Sequence, residues 1–148
     1  MNKKIVIVIF LFAGIISNAQ TAKTLVWNKN IEDAIKQAEK EKKQTLVYFS
    51  GSDWCKPCKE LKKEVFNTQK FKEKAQKDYV LVNIDFILDR DSLSKDELNY
   101  IEKSAEKYNK LGAFPLVIIL NNKGEIITSI DGYKSETASY YIDNYLNK

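Results

Sequence analysis

Apolar and polar residues alternate along this chain with two periods, which predict strands in some segments and helices in others. Short runs rich in β-branched and aromatic residues predict strands at 24–27, 45–50, 79–85, 116–120 and 126–130. Apolar residues recur at helical spacing in segments that begin near Asn28 or Asn30, Cys55, Thr68, Ser94 and Ser135. With the Cys55 and Thr68 segments taken as one interrupted helix, the predicted order is β-α-β-α-β-α-β-β-α.

The connections between these elements predict a mixed sheet. A strand, a helix and a second strand over 45–85 form a βαβ unit, which implies parallel pairing. Residues 121–124 are typical of a hairpin turn, which implies antiparallel pairing of the last two strands. Ser94 and Glu97 have the spacing of a capping box, and the helix they open is expected to stop near Gly112. We therefore expect an α/β fold with a central mixed β-sheet and helices on both faces.

The N-terminal residues have a pattern of their own. A short basic start precedes an almost wholly apolar run, 5–16, and small residues follow at Ser17 and Ala19. A membrane span needs about 20 apolar residues, so this run is short for one. The pattern predicts a secretory signal over 1–19 that is cleaved after Ala19, with an uncleaved anchor as the alternative. The remainder, 20–148, is predicted to form a single domain.

Composition and charge narrow the classes of function. The chain is 44% hydrophobic and 30% charged, which is typical of a globular domain. The net charge is only +4, and loss of the predicted signal removes Lys3 and Lys4. The other basic residues are interspersed with acidic ones, as on a solvated surface. We therefore expect no nucleic-acid partner.

The two cysteines, Cys55 and Cys58, have a C-x-x-C spacing between a predicted strand and a predicted helix. A structural zinc site needs four ligands, and the chain has no His and no other Cys, so we expect no metal; nor do we expect another cofactor. A purely structural disulfide would close a very short loop and contribute about 2 kcal/mol. Two inert buried cysteines are a further alternative. Redox catalysis is the favoured interpretation because the pair lies at the start of a helix.

The position of Cys55 explains the reactivity that we expect of it. Unpaired N–H groups and the positive end of the helix dipole lower the pKa of a thiol at a helix N-terminus. Lys56 adds a nearby cation, and Pro57 fixes φ where a missing N–H costs nothing. Cys58, one turn further on, is expected to be the more buried cysteine. Cys55 would thus attack a substrate disulfide, and Cys58 would resolve the mixed disulfide.

The segment 45–66, in which Trp-Cys-x-Pro-Cys follows an apolar strand, resembles the thioredoxin superfamily. The later Gly112-Ala113-Phe114-Pro115 before a strand, and Lys123-Gly124-Glu125 after it, are similar to the second half of that fold. The Phe-Ser-Gly-Ser-Asp-Trp-Cys variant looks most like small exported thioredoxin-like proteins of bacteria. The resemblance implies a thioredoxin fold and a thiol–disulfide oxidoreductase that is exported to the periplasm.

The resemblance also implies a substrate-binding surface. Pro115 would be a cis-proline facing the active site, the alternative being a trans proline at the start of an edge strand. The backbone of Phe114 would pair with an extended substrate segment. Trp54 would pack beside the disulfide and line the contact surface.

Two features depart from the thioredoxin pattern. The places of the family's buried acid and its lysine partner fall near Tyr48 and Leu81, so both groups are absent. Asp53 or Glu64 would be candidates to replace the acid, although each is more typical of an exposed carboxylate. The segment 86–108 is longer than in compact family members, and it either shapes substrate access or covers the sheet as a longer helix.

The motif also bears on the direction of electron transfer. Pro57 resembles the reducing family members, and the strong thiolate stabilisation of oxidants often involves a motif His, which this chain lacks. The positive charge of Lys56 would stabilise the thiolate slightly, which favours an oxidant. We expect a monomeric reductase of protein disulfides, without stable membrane insertion, that receives electrons from a membrane thiol-transfer partner. The alternatives are a disulfide oxidase or isomerase, and a non-catalytic binding or chaperone-like module.

Overall fold

The structure, a computed structural model, describes residues 24–147. The signal predicted at 1–19 lies outside the described residues and stays a prediction. None of the helices between residues 24 and 147 combines the length and the apolar content that a bilayer crossing requires.

The elements follow one another in the predicted order. The strands are β1 (Trp27–Asn28), β2 (Gln44–Ser50), β3 (Tyr79–Asp85), β4 (Leu116–Leu120) and β5 (Ile126–Asp131). The helices are α1 (Ile31–Glu41), α2 (Lys56–Leu61), α3 (Gln69–Asp78), α4 (Lys95–Tyr108) and α5 (Ala138–Tyr141). The α2 and α5 helices continue as π-helical turns at Lys62–Phe66 and Ile142–Leu146, and a 3₁₀ turn at Arg90–Ser92 precedes α4.

The five strands form one mixed sheet in the order β1-β3-β2-β4-β5. The β3 strand is parallel to β1 and β2, whereas β4 runs antiparallel to β2 and β5. Ser50 lies opposite Asp85, and Phe49 lies opposite Leu116. The ends of β2 and β3 and the start of β4 therefore meet at one end of the sheet. The predicted fold class, a mixed sheet with helices on both faces, is confirmed.

Alternation along β2 supplies both halves of the core. Leu46 and Tyr48 belong to a buried cluster with residues of α2, α3 and α5, whereas Val47 and Phe49 pack with residues of α1 and α4 on the other face. Successive side chains of a strand point to opposite faces, so a strand covered on both sides is apolar throughout. The β2 strand is thus held firmly on both faces at the point where it leads into the cysteine loop.

The predicted caps are confirmed in the first helices but not in the last. The side chains of Asn30, Thr68 and Ser94 each accept a hydrogen bond from the first turn of the following helix. The prediction that Ser135 caps the last helix is wrong, because Ser135 has a left-handed φ of 62°. An N-cap residue normally has extended backbone, and Thr137 supplies it, with its side chain accepting from the N–H of Tyr140.

Two further boundaries differ from those predicted. Of the first predicted strand, 24–27, only Trp27 belongs to β1, because hydrogen-bonded pairing with β3 is confined to Trp27 and Asn28. The α4 helix ends at Tyr108 rather than near Gly112. Gly112 instead has a positive φ of 64° in the turn that leads to β4.

Candidate active site

Cys55 is held where β2 passes through a tight loop into α2. The N–H of Cys55 donates to the carbonyl of Gly51 at 2.8 Å, and Cys55 is the N-cap residue of α2. Its sulfur accepts a hydrogen bond from the N–H of Cys58 at 3.3 Å and is joined to Cys58 in a disulfide of 2.02 Å. An N–H aimed at this sulfur would stabilise a thiolate there once the disulfide is reduced. A cysteine pair in this position can carry out thiol–disulfide exchange.

Both cysteines are buried in the disulfide form. Cys55 is 3% exposed and Cys58 is 1% exposed. The expectation that Cys58 is the more buried of the two is therefore met only by a small margin. A partner thiol must therefore pass the side chains that surround the pair.

The two residues between the cysteines have different surroundings. Pro57 lies in the first turn of α2, as expected. The side chain of Lys56 is 86% exposed and extends toward Glu60, with 3.9 Å between its ammonium and that carboxylate. The charge of Lys56 is therefore shared with Glu60 and water. Tuning of the thiolate by Lys56 and Pro57 stays a prediction.

Trp54 lies against the loop that carries the cysteines. Its indole N–H donates to the carbonyl of Phe86 at 2.6 Å, and its ring meets the edge of Phe114 at 5.3 Å between centroids. A Cβ at Gly51 would come within 2.2 Å of the indole, so only glycine leaves room for the ring here. Trp54 as a residue is 43% exposed. Its predicted place on the contact surface is consistent with that exposure.

The peptide bond between Phe114 and Pro115 is cis, as the resemblance implied. Phe114 packs partly buried against the cluster that contains both cysteines. Sequence reasoning missed Asn109, whose side chain both donates to the carbonyl of Ala113 and accepts from its N–H, each at 2.9 Å. Asn109 thereby fixes the loop that carries Phe114.

A cavity of about 320 Å³ lies behind Cys58 and includes Tyr48 in its wall. The hydroxyl of Tyr48 donates to the carbonyl of Cys58 at 2.9 Å. Burial, and secondly the charge of Asp85, raises the pKa of Tyr48, so the hydroxyl stays neutral. The place of the family's buried acid thus holds a hydrogen-bond donor that does not release its proton at ordinary pH.

The two candidate replacements for the buried acid are exposed and have partners elsewhere. The carboxylate of Asp53 accepts from the N–H of Leu88 at 2.8 Å, and that of Glu64 pairs with Lys63 at 2.8 Å. Sequence reasoning did not single out Asp85, which accepts from the hydroxyl of Ser50 at 3.0 Å and from a loop N–H at 2.8 Å. Asp85 therefore helps to fix the β2–α2 loop.

The segment after β3 is attached to the cysteine loop. The N–H of Phe86 donates to the carbonyl of Ser50 at 2.7 Å, which extends the β2–β3 pairing by one bond. Two more hydrogen bonds join the same segments: the indole of Trp54 donates to the carbonyl of Phe86, and the N–H of Leu88 donates to the carboxylate of Asp53. Farther along, α4 packs on the sheet by way of Tyr100. The 86–108 segment therefore covers the sheet with its helix and borders the site with its first residues.

Comparison with known sequences identifies the family. The family model of a thioredoxin-like domain matches residues 31–145. Thioredoxin-related protein DsbJ of Chlamydia pneumoniae is 30% identical over 117 residues, which are 78% of this chain and 33% of that protein. The chain therefore spans only a small part of that relative. Disulfide bond reductase DsbH of the same organism is 22% identical over 121 residues, 82% of this chain and 70% of that protein.

Solved structures agree on the fold. The DsbH oxidoreductase superposes with a TM-score of 0.74 at 20% identity, covering 82% of this chain and 81% of that one. A thioredoxin from Thermus thermophilus superposes with a TM-score of 0.60 at 15% identity, covering 82% and 84%. The family model covers most of the chain, and the fold and the cysteine pair at the start of α2 agree with it. The chain therefore belongs to the thioredoxin-like domain family.

Proposed function

We propose that the chain is an exported thiol–disulfide oxidoreductase that reduces disulfides in proteins. The observation that carries this proposal is the Cys55–Cys58 disulfide at the N-terminus of α2, bordered by Trp54 and the cis Phe114–Pro115 loop. The name of one relative, disulfide bond reductase, supports the same direction of electron transfer.

The reaction begins with the reduced pair. The Cys55 thiolate attacks one sulfur of the substrate disulfide, that S–S bond breaks, and the departing thiolate takes up a proton. The Cys58 thiol then loses its proton and attacks the Cys55 sulfur of the mixed disulfide, which releases the second substrate thiol. Two electrons have passed from the protein to the substrate, and the Cys55–Cys58 disulfide remains.

The surroundings of the pair favour a reductase over a strong oxidant. Strong oxidants stabilise their reduced, thiolate form through several favourable charges and hydrogen bonds. In this chain Lys56 is paired with Glu60 and largely hydrated, and no His is present in the sequence. Helix α2 and the single N–H bond from Cys58 remain to stabilise the thiolate. We therefore expect a reduction potential nearer to that of thioredoxin, about −270 mV, than to that of DsbA, about −120 mV.

Equilibration of the purified protein in glutathione buffers, with the Cys55–Cys58 state read by mass spectrometry, tests this proposal. A potential near −270 mV supports a reductase, and a potential near −120 mV overturns that direction in favour of an oxidase or isomerase. A protein that exchanges with no disulfide is a binding module instead. Cys58→Ser should accumulate a mixed disulfide with a peptide disulfide, and Cys55→Ser, its matched control, should not.

The proposal also includes export and an electron donor. Cleavage of the predicted signal would give a periplasmic protein that begins at Gln20, and a reductase in that oxidising compartment needs electrons from a membrane thiol-transfer partner. N-terminal sequencing of the protein from a periplasmic extract should find Gln20. A chain that keeps Met1 and sediments with membranes would contradict this part of the proposal.

A further inference from the structure

A groove opens along one edge of the sheet, where β1 ends before β3 does. The β1 strand pairs with β3 only through Trp27 and Asn28, which lie opposite Leu81 and Val82. The last three residues of β3, 83–85, therefore extend beyond β1, and no strand among residues 24–147 lies beside them on that side. The same three residues line a groove of about 700 Å³. The edge of β3 is thus the floor of this groove.

The backbone at this edge has unused capacity for pairing. The N–H of Phe86 donates to the carbonyl of Ser50, so it faces β2. Neighbouring residues of a strand direct their backbone groups to opposite sides in the plane of the sheet, so the N–H and carbonyl of Asp85 face away from β2. Because β1 ends at Asn28, no strand in the described part of the chain pairs with these groups. Such an edge can accept a further extended segment.

The walls of the groove are largely apolar and are joined to each other. Trp27 lies in one wall, and Leu93, Tyr100 and Ile101 lie in the other. The hydroxyl of Tyr100 accepts a hydrogen bond of 2.6 Å from the N–H of Ile31, which ties α4 to the start of α1. The groove is therefore preformed between fixed elements, and its walls can bury apolar side chains.

Acidic residues dominate the charge of the groove. Asp85, Asp96 and Glu97 line it, and Lys29 is the one basic residue among the lining residues. The ammonium of Lys29 lies 3.8 Å from the carboxylate of Glu97, so its charge is already partnered. The lining therefore carries three negative charges against one positive charge. A basic segment would be attracted to this groove, whereas an acidic segment would be repelled.

We propose that the groove binds an extended, basic segment of a partner protein, which adds to β3 as a strand beyond the end of β1. Apolar side chains of the segment would pack against Leu93 and Ile101, and basic side chains between them would meet the acidic residues such as Asp96. Neither cysteine lines the groove, and neither do Trp54 and Phe114. The proposal therefore goes beyond the redox function, because it assigns a second binding surface.

A capped hexapeptide of alternating Lys and Ile tests the proposal by calorimetric titration of the purified protein at low ionic strength. Two comparison peptides replace every Lys by Glu or every Ile by Ser. Two more peptides carry N-methyl groups, one on all the Lys nitrogens and the other on all the Ile nitrogens. A strand that adds to β3 turns only one of these two sets of N–H groups toward it, so only one methylated peptide should lose binding.

Two charge reversals on α4 test the role of the acidic lining. Asp96→Lys changes a residue of the groove, and Glu106→Lys is the matched control. Both residues are exposed on α4, and both substitutions change the net charge equally. Glu106 lies ten residues farther along the helix, about 15 Å away, and does not line the groove. The melting temperature of each variant checks that it is folded.

The peptide of Lys and Ile should bind the wild type, and the Glu and Ser peptides should bind at least about tenfold more weakly. Asp96→Lys should weaken binding about fivefold, and Glu106→Lys less than about twofold. Absence of binding, equal effects of the two sets of methyl groups, or equal weakening in the two variants would overturn the proposal. A wild type that sediments as a dimer, which Asp96→Lys dissociates, would show a second copy of the chain in the groove and would also overturn it.

Discussion

The close approach of Gly51 and Trp54 gives the sharpest quantitative prediction. In Gly51→Ala the new methyl group would lie 2.2 Å from Cε2 of the indole, against an ordinary carbon–carbon contact of about 3.5–4.0 Å. The backbone at Gly51 has no positive φ, so alanine is unfavourable here for lack of space and not for its conformation. Because Trp54 is 43% exposed, its indole can turn outward to relieve the clash.

The cost of that movement follows from the contacts that Trp54 would lose. The indole hydrogen bond to Phe86 is worth about 1 kcal/mol, and the edge contact with Phe114 about 0.5–1.5 kcal/mol. If the ring instead stays in place, overpacking costs about 1–3 kcal/mol. Both routes predict that Gly51→Ala lowers the free energy of unfolding by about 2 kcal/mol.

A double-mutant cycle separates the clash with Trp54 from any other effect of the alanine. Urea unfolding is measured for the oxidised wild type, Gly51→Ala, Trp54→Ala and the double variant. Without the indole, the alanine should be neutral or stabilising by up to about 1 kcal/mol, since it restricts the unfolded chain. The coupling energy should then be at least about 2 kcal/mol. An alanine that costs the same in both backgrounds would refute the reasoning.

The other predictions concern the hydroxyl groups of Tyr141, Tyr79 and Ser94. Among residues 24–147 the buried hydroxyl of Tyr141 finds no hydrogen-bond partner, so Tyr141→Phe should raise the free energy of unfolding in urea by about 1 kcal/mol. The hydroxyl of Tyr79 instead donates to the carbonyl of Leu146 at 2.8 Å, so Tyr79→Phe should lower the free energy of unfolding by about 1 kcal/mol. Equal effects of the two substitutions would contradict this account. Burial raises the pKa of Tyr79 from 10.0 to about 12, so the stability that it contributes is present below pH 10 and is lost as the pH rises toward 12. Between pH 9 and 12 the melting temperature should therefore fall less steeply with pH in Tyr79→Phe than in the wild type. Ser94→Ala removes the side-chain cap of α4 and should cost about 1 kcal/mol in thermal unfolding. The N–H of residue 94 still donates to Glu97 in this variant, so NMR titration should find the pKa of Glu97 raised by loss of the hydroxyl bond but still below its usual range; a pKa at its usual value would argue against the capping box.

Local sequence patterns were sufficient to predict the order of the helices and strands and the position of the cysteine pair at the start of a helix. The helix caps at Asn30, Thr68 and Ser94 act within four residues of sequence, so the residues that decide them are adjacent in the chain. The C-x-x-C pair is equally local, because one helical turn joins Cys55 to Cys58. Ser135 failed as a predicted cap because two polar residues, Ser135 and Thr137, compete for that role, and the backbone conformation of the preceding turn decides between them.

The rest of the site depends on contacts between distant segments. Asn109 fixes the loop before Pro115 with its side-chain amide, but an asparagine after a helix usually indicates only that the helix ends. The partner of the Trp54 indole is a backbone carbonyl, which any residue at position 86 would supply. No residue type therefore marks these contacts in the sequence.

The parallel pairing of β2 with β3 explains why the first residues after β3 and the cysteine loop form one structural unit. Parallel strands end at the same edge of a sheet, so the residues that follow Ser50 and Asp85 must emerge side by side. The bond from Phe86 to Ser50 continues the ladder, and Asp53 and Trp54 then reach across to the same segment. A substitution in this segment that broke these bonds would change the orientation of Trp54 as well as the apolar surface beside it. The orientation of Trp54 therefore depends on the backbone of the segment after β3 as well as on the cysteine loop.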